Sequence, residues 1–438
     1  MLHLLEDDAD TPAHYGAQGA ILAEAIGARL LHLAARFDEG RFPDAVQHVT
    51  VDGALVPSGL VWSERLSGKP LRTASSAAEV VCRAAGAAVV VPVHPGTDGG
   101  IAAADALAAL AARNCVPLRR YRVVRDGGST RIIELPGDAH SVAQTITQAQ
   151  QDRFGRWSWD RKRIPSSLEG SRSARAVAAA DTLTRTAAVE LRIALIGRAV
   201  DQREAYPATL AALADAAEAQ SVDLRLICIS PHDLSDANAH EALAAFDGVV
   251  LPGGADMTRV PGQIAAAQYA WRSSIPVVGL CLGMQSMATA IARLALHTDE
   301  IGLMEAEPHV RIRSFVPIEA DAADSADAAD PCPPRAHRLG RQPLEVTPGS
   351  RLDAILGAQR HIICNHRYRL NPELARPLAA AGVHIVAHDT SGQIADAIEA
   401  PGHPFFIGMQ GHPELSSAAG VPHPLLSAFM LAAVARTG

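Results

Sequence analysis

Residues Ile275–Gln285 read IPVVGLCLGMQ. An apolar, β-branched run enters Gly279-Leu280-Cys281-Leu282-Gly283, and an apolar helix candidate, Leu282–Leu294, leaves it. Glycine two before and two after a nucleophilic residue, at a strand-to-helix switch, is the signature of a nucleophile elbow. The turn is so tight that a side chain at 279 or 283 would collide with the strand or the helix. It also presents the thiol at a helix N-terminus, whose partial positive charge favours a thiolate. The competing reading is an inert cysteine buried at a strand end; the paired glycines and the switch argue against it.

Outward from the elbow, residues 191–438 alternate strands and helices. Strands are expected at Leu191–Ile196, Leu224–Ile229, Gly248–Leu251 and Pro276–Leu280, and near His384–Ala387, Ile394–Glu399 and Phe405–Met409. Helices are expected at Tyr206–Ala219, Pro261–Ser273 and Leu282–Leu294, with a last one at Pro424–Arg436. This alternation predicts an α/β fold, a mostly parallel sheet flanked by helices.

A thiolate nucleophile needs a base and a group that orients it. Gln410–Glu414 reads QGHPE and follows the last expected strand. In extended chain, residues i and i+2 share a face. His412 and Glu414 therefore point the same way, and Pro413 stiffens the spacer. Glu414 can then accept one imidazole N–H and leave the other nitrogen for Cys281. An oxyanion on an attacked carbonyl needs backbone donors. The N–H of Leu282 is one candidate. Asp247–Asp256 (DGVVLPGGAD) offers another at Gly254, where glycine lets a backbone N–H turn outward. Taken alone, a His-Pro-Glu or a Gly-Gly turn is an ordinary surface feature; the elbow gives them a purpose.

Composition narrows the classes. The chain has 438 residues, with 39 Lys+Arg against 47 Asp+Glu, a formal net charge of −8. That balance argues against binding nucleic acid by phosphate neutralisation. Hydrophobic residues make up 48%, enough for sizeable cores, while aromatics are only 4%, so alanine and branched aliphatics must do the packing. The best apolar run, Ala84–Val93, is far too short to span a membrane, and the acidic start MLHLLEDDAD does not read as a secretory signal. Cys82, Cys115, Cys228, Cys281, Cys332 and Cys364 are scattered with no CxxC pair. They suit free thiols in a reducing cytoplasm better than a disulfide scaffold or a zinc site. No metal or cofactor is expected.

The length suggests two or three domains. Residues 164–190, rich in Ser, Arg and Ala, read as a linker. Residues 320–335 (ADAADSADAADPCPPR) read as a mobile, low-complexity acidic loop. Residues 1–163 read as a smaller α/β domain: a buried strand at Ala87–Val93, a turn at Gly96–Gly100 and a helix at Ile101–Asn114. The turn HPGTDGG lacks the Gly-Lys-Ser/Thr ending of a phosphate-cradling loop, so a plain turn is favoured. Arg153–Arg163 (RFGRWSWDRKR) offers either a stacking surface for a planar ligand or an edge that packs Trp157 and Trp159.

GLCLGMQ, LPGG and QGHPE together resemble the class I (triad-type) glutamine amidotransferases, and more narrowly the glutaminase domain of CTP synthases. The opening Leu191–Leu213 and the segments HRLGRQPLEV (His337–Val346), CNHRYRLNP (Cys364–Pro372) and IEAPGHPFFIGMQGHPE (Ile398–Glu414) are similar to that domain in the same order. The likeness covers about residues 190–438. It implies that Cys281 attacks the side-chain amide of L-glutamine and that His412 and Glu414 complete a triad. It implies that Gly254 and Leu282 form the oxyanion hole. It further implies that Gln285 helps hold glutamine, Arg367 its carboxylate and Glu300 its ammonium, with Glu305 a second candidate because the preceding segment is shorter than the family's. Without the resemblance, Glu300 and Arg367 read as ordinary surface charges.

The chain departs from the family in three places. ADMTRVPG stands where a glycine-rich basic stretch usually follows the PGG turn, and Gly411 stands where an aromatic is common. Residues 1–163 match neither the length nor the P-loop of the family's synthetase domain, so CTP synthesis by this chain alone is not expected. The leading expectation is glutamine hydrolysis through a cysteine thioester, with ammonia passed to an acceptor activated in residues 1–163 or on a partner synthetase. Two alternatives stay open: a γ-glutamyl hydrolase or transferase acting on another γ-glutamyl amide, and a non-catalytic regulatory or binding module. Homo-oligomerisation is also open.

Overall fold

The computed structural model describes residues 1–34, 40–43, 74–126, 128–136, 143–159, 189–319 and 337–437. Most of the linker expected at 164–190, the loop expected at 320–335 with its Cys332, and the basic end of Arg153–Arg163 lie outside the described residues. The chain divides into two compact units, one spanning Met1–Asp38 and His48–Val189, the other Glu39–Gln47 and Glu190–Gly438.

The second unit is built on an eight-stranded sheet. Its order is Glu345–Val346, His384–His388, Ala395–Glu399, Phe406–Met409, Val277–Leu280, Gly248–Leu251, Glu190–Ile196, Asp223–Ile229. The last five strands run parallel, and the first three join antiparallel at one edge. The three central strands are four-residue runs buried on both faces, as sequences such as VVGL and GVVL require. Helices Val260–Arg272 and Leu282–Leu296 pack on each other, as do Ala208–Ala219 and Pro424–Thr437. Between them lies a core of alanines and aliphatics, including Val249, Val277, Ile264, Met284 and Met287. Short strands Ile301–Leu303, Ile312–Pro317 and Tyr368–Leu370 form one small sheet, and Arg338–Pro343 with His361–His366 another.

The helix start expected at Tyr206 moves. The helix begins at Ala208, not at Tyr206, and a five-residue π-helical turn, Asp201–Ala205, precedes it. Pro207 is the cause. A residue before proline is pushed out of the α region, and Tyr206 sits at φ −136°, ψ 78°.

The first unit holds a seven-stranded mixed sheet in the order Arg29–Leu30, Val89–Val93, Leu2–Glu6, Leu118–Asp126, Ser129–Glu134, Gln144–Gln151, Trp157–Trp159. The first four strands are parallel; the rest form an antiparallel meander. The turn at Gly96–Gly100 opens the helix Asp98–Arg113, where the Thr97 hydroxyl caps the Gly100 N–H. Trp157 lies on the outer strand, edge-on to His14 at 6.4 Å.

Candidate active site

Parallel pairing brings the three sequence motifs to one edge of the second sheet. Leu251 pairs with Gly279, and Leu280 pairs with Met409. Pro252-Gly253, Cys281 and Gln410 therefore leave three adjacent strands side by side, at the C-terminal edge where open α/β sheets bind ligands.

The elbow is strained in the expected sense. Cys281 has φ 50°, ψ −106°, and its N–H donates to the Met409 carbonyl at 2.8 Å. A non-glycine residue held there costs of order 1–3 kcal/mol, which the surrounding packing must supply. The flanking glycines are sterically required. A Cβ on Gly279 would lie 2.7 Å from the Gly283 carbonyl carbon, and one on Gly283 would lie 2.0 Å from the Leu251 oxygen. Leu282 is the first residue of the helix, so its N–H has no helical partner.

His412 and Glu414 meet Cys281 from the next strand. His412 Nδ1 lies 2.8 Å from Glu414 Oε1, and His412 and Glu414 are 1% and 0% exposed. The other imidazole nitrogen, Nε2, is buried without a hydrogen bond of normal geometry, which leaves it for the Cys281 sulfur. A Cβ placed on Gly253 would sit 3.1 Å from His412 Cε1 and 3.5 Å from Cys281 Cβ, so the two side chains converge over that glycine. Burial opposes a charged imidazole, but the Cys281 and Glu414 charges outweigh it and raise His412 from 6.5 to about 10.

Two residues that the sequence did not single out complete the surroundings. Gln410, fully buried, points Nε2 at Cys281 Sγ across 3.8 Å. Tyr206 donates its hydroxyl to Glu414 Oε1 at 3.0 Å and lies 3.3 Å from His412 Nδ1. Gln410 stood inside the quoted QGHPE; Tyr206 was signalled by the proline that follows it.

The expected glutamine-holding residues are placed less uniformly. Gln285, 4% exposed, sits one turn into the elbow helix and donates its N–H to the Cys281 carbonyl at 3.1 Å. Gly254 is half-buried beside Gly253. Glu300 is exposed and pairs with Arg311 at 2.8 Å. Arg367 and Glu305 are also exposed. No contact among the described residues joins Glu300 or Arg367 to Cys281.

Behind His412, the strand His361–His366 accepts the His412 N–H through the Ile363 carbonyl at 2.8 Å. There Cys364, His366 and Asp396 bring potential metal-ligand atoms within 4.8 Å of one another. Arg338 already serves as their cation. It binds Asp396 at 2.5 and 3.1 Å and reaches within 3.3 Å of His366 Nε2. Burial pushes the Cys364 thiol up to about 12 and His366 down to about 3, so both are neutral wall residues. Cys82, Cys115, Cys228, Cys281 and Cys364 are free thiols.

The sequence pattern of the class-I glutamine amidotransferases matches residues 210–432, just over half of the chain. The chain belongs to that enzyme family. It is 32% identical over 249 residues to the CTP synthase of Chloroflexus aggregans, a match covering 56% of this chain and 44% of that protein. It is 34% identical over 254 residues to the CTP synthase of Nostoc punctiforme, at 56% and 44% coverage. The amidotransferase thus spans under half the length of these relatives. Among solved structures it is similar to the glutaminase domain of Trypanosoma brucei CTP synthase with bound acivicin. That match has a TM-score of 0.50 and 26% identity, covering 56% of this chain and 93% of that one. Within the amidotransferase, no described helix is long and apolar enough to cross a membrane.

Proposed function

We propose that the chain is a CTP synthase-like glutamine amidotransferase that hydrolyses L-glutamine to glutamate and ammonia through Cys281, with residues 191–438 as the amidotransferase domain. The observation that carries the reading is the convergence of the Cys281 and His412 side chains over Gly253, with Glu414 bound to the far side of the imidazole. The thiolate attacks the amide carbon, and the N–H groups of Leu282 and Gly254 hold the oxyanion. Protonated His412 gives its proton to the leaving nitrogen, so ammonia departs and a γ-glutamyl thioester remains. Acylation removes the thiolate charge. The Cys281 influence that kept His412 protonated is then gone, and burial favours the neutral imidazole. Neutral His412 next takes a proton from water, which attacks the thioester and releases glutamate. Gln285, Arg367 and Glu300, or Glu305 in its place, bind glutamine, the last three through side chains open to solvent.

The ammonia passes to an acceptor activated elsewhere, in a domain formed by residues 1–163 and joined through 164–190, or on a separate synthetase subunit. The first unit carries a cavity of about 300 Å³ bordered by His14, Ser129, Gln151 and Trp157, which gives an acceptor a place to bind. The scattered free thiols suit the cytoplasm. The test is Cys281→Ala in the full chain. Glutamine hydrolysis, read as glutamate release, should fall to background while the circular dichroism spectrum is kept. Retained hydrolysis in a folded variant overturns the nucleophile assignment.

A further inference from the structure

We propose that Tyr206 is a positioning residue of the glutaminase reaction, its hydroxyl holding the Glu414 carboxylate that orients His412. The proposal rests on the triad reading above.

Glu414 is fully buried, and its Oε2 has no hydrogen-bond partner. Among the described residues both of its hydrogen bonds fall on Oε1, which takes His412 Nδ1 at 2.8 Å and the Tyr206 hydroxyl at 3.0 Å. A buried carboxylate with so few donors is expensive to keep ionised. The tyrosine supplies one of the two hydrogen bonds that hold the carboxylate, and the carboxylate fixes the Nδ1–H tautomer. Its ring stands edge-on to the imidazole, with centroids 6.2 Å apart at 65°.

The tyrosine is held in place from behind. Its N–H donates to the Asp201 carbonyl at 2.9 Å, closing the π-helical turn. The Asp201 carboxylate binds Arg198 at 2.6 and 2.7 Å and the buried Arg259 at 2.9 Å. Arg259 also binds Asp256, at 3.2 Å. Both Arg259 and Asp256 lie just beyond the Pro252-Gly253-Gly254 turn. One buried ion network thus ties the segment bearing Tyr206 to the turn beside Cys281. Tyr206 meets the side of the imidazole away from the sulfur, where its hydroxyl lies 3.3 Å from His412 Nδ1; its hydrogen bond is to Glu414, and through Glu414 it positions the ring.

Among the described residues, Cys281, His366 and His423 are the other titratable groups that face the Glu414–His412 pair. Burial lowers His366 and His423 to about 3 and about 4, so neither titrates near neutral pH.

The experiment compares Tyr206→Phe, Cys281→Ala and wild type in the full chain for glutamine hydrolysis across pH. Tyr206→Phe should lower kcat roughly ten- to a hundredfold, the range for losing a hydrogen bond to a charged group. KM for glutamine should stay within about twofold, because the residue does not touch substrate. Glu414 loses the donor that holds it, so the imidazole is oriented less firmly and the loss should fall on kcat at every pH measured. In a Glu414→Gln background the same substitution should have little further effect. Should the Phe variant fold poorly, 3-fluorotyrosine at 206 keeps ring and hydroxyl donor, and should retain kcat within about threefold of wild type. A kcat within about threefold of wild type in the folded variant, a KM that rises as much as kcat falls, or a full independent loss in the Glu414→Gln background overturns the proposal. Hydrolysis surviving in Cys281→Ala, or absent from wild type, overturns the triad reading instead.

Discussion

The sharpest quantitative consequence of the elbow concerns Gly283. An ideal Cβ on Gly283 falls 2.0 Å from the Leu251 oxygen, 2.7 Å from its carbonyl carbon and 2.8 Å from its Cβ. Real Cβ contacts essentially never fall under 3.0 Å, so Gly283→Ala needs about 1 Å of separation between the elbow helix and the neighbouring strand. The obstacle is backbone in the middle of the sheet, which cannot swing aside as a side chain can. The helix start must move, carrying the Leu282 N–H and tilting Cys281 away from His412. A displacement of about 1 Å at reacting groups costs on the order of a hundredfold in rate. Overpacking of this kind also costs about 1–3 kcal/mol of stability. Gly253→Ala should be milder: its Cβ would meet His412 Cε1 at 3.1 Å, so the imidazole needs to give only by a few tenths of an ångström. Gly402 has nothing within 4 Å and no positive φ, so Gly402→Ala should be silent. The assay is glutamate release by a coupled dehydrogenase, as kcat/KM, alongside thermal unfolding of each variant. A folded Gly283→Ala enzyme within about threefold of wild type, or a Gly253 variant worse than the Gly283 one, would refute the steric reasoning.

Two other consequences are open to direct measurement. Alkylating Cys281 with iodoacetamide removes the thiolate charge, so His412 should drop from about 10 toward or below its ordinary 6.5, followed by the imidazole Cε1–H resonance; an unmoved titration contradicts the account. Because the folded value is raised, the stability contributed by protonated His412 is complete below about 6.5 and fades as pH rises through about 10. Arg259→Met leaves the buried Asp201 with Arg198 alone and should cost about 3 kcal/mol in urea unfolding, the low end for breaking a buried pair. A loss under 1 kcal/mol would mean that the ion network is dispensable.

What the sequence made legible, and what it did not, follows the range of the interactions. Gly279 and Gly283 could be read because their constraint is local: both flank one turn whose geometry forbids a Cβ. The alternation of VVGL, GVVL and similar runs with alanine-rich helices likewise announced a parallel sheet. The order of the strands is non-local, and that order is what makes Gln410–Glu414 a neighbour of Cys281, 129 residues away for the Gln410 contact. Arg338 with Asp396, and Arg259 with Asp201, were invisible for the same reason. Tyr206 was misplaced by one rule overriding another: helix-forming residues follow it, but Pro207 decides the boundary. In the first unit, the acidic start containing Leu2–Glu6 was read for its charge, yet LHLLE is an inner strand, because three leucines around one histidine are too short a stretch to show a period of their own. Within Leu118–Asp126 the stretch Arg120–Val123 alternates Arg with Tyr and Val, a strand signal that went unread. Glu300 and Arg367 were singled out by resemblance alone, and their exposure leaves them without a local physical signal.

The buried charges of the site explain why so much of its support is backbone and ion pair, with little apolar packing on the reacting groups themselves. Glu414 and the Cys281 sulfur are acceptors on either side of one imidazole, all nearly sealed from water. With Cys281 as thiolate, Glu414 as carboxylate and His412 as imidazolium, the formal sum is −1 inside a low-dielectric interior, which is unfavourable without donors. The chain supplies them from fixed positions: the Gln410 amide on the sulfur, the Tyr206 hydroxyl on the carboxylate, and the first turn of the helix Leu282–Leu296 beside the thiolate. Each donor sits on an element anchored elsewhere: Gln410 by its N–H on the Asp396 carbonyl, Tyr206 by the turn around Asp201, Leu282 by the elbow. A site balanced this way gains nothing from flexibility. In the proposed reaction acylation removes the thiolate charge while the His412 proton leaves with ammonia, so the formal sum stays −1, and the neutral imidazole left behind is the base that the second half-reaction needs.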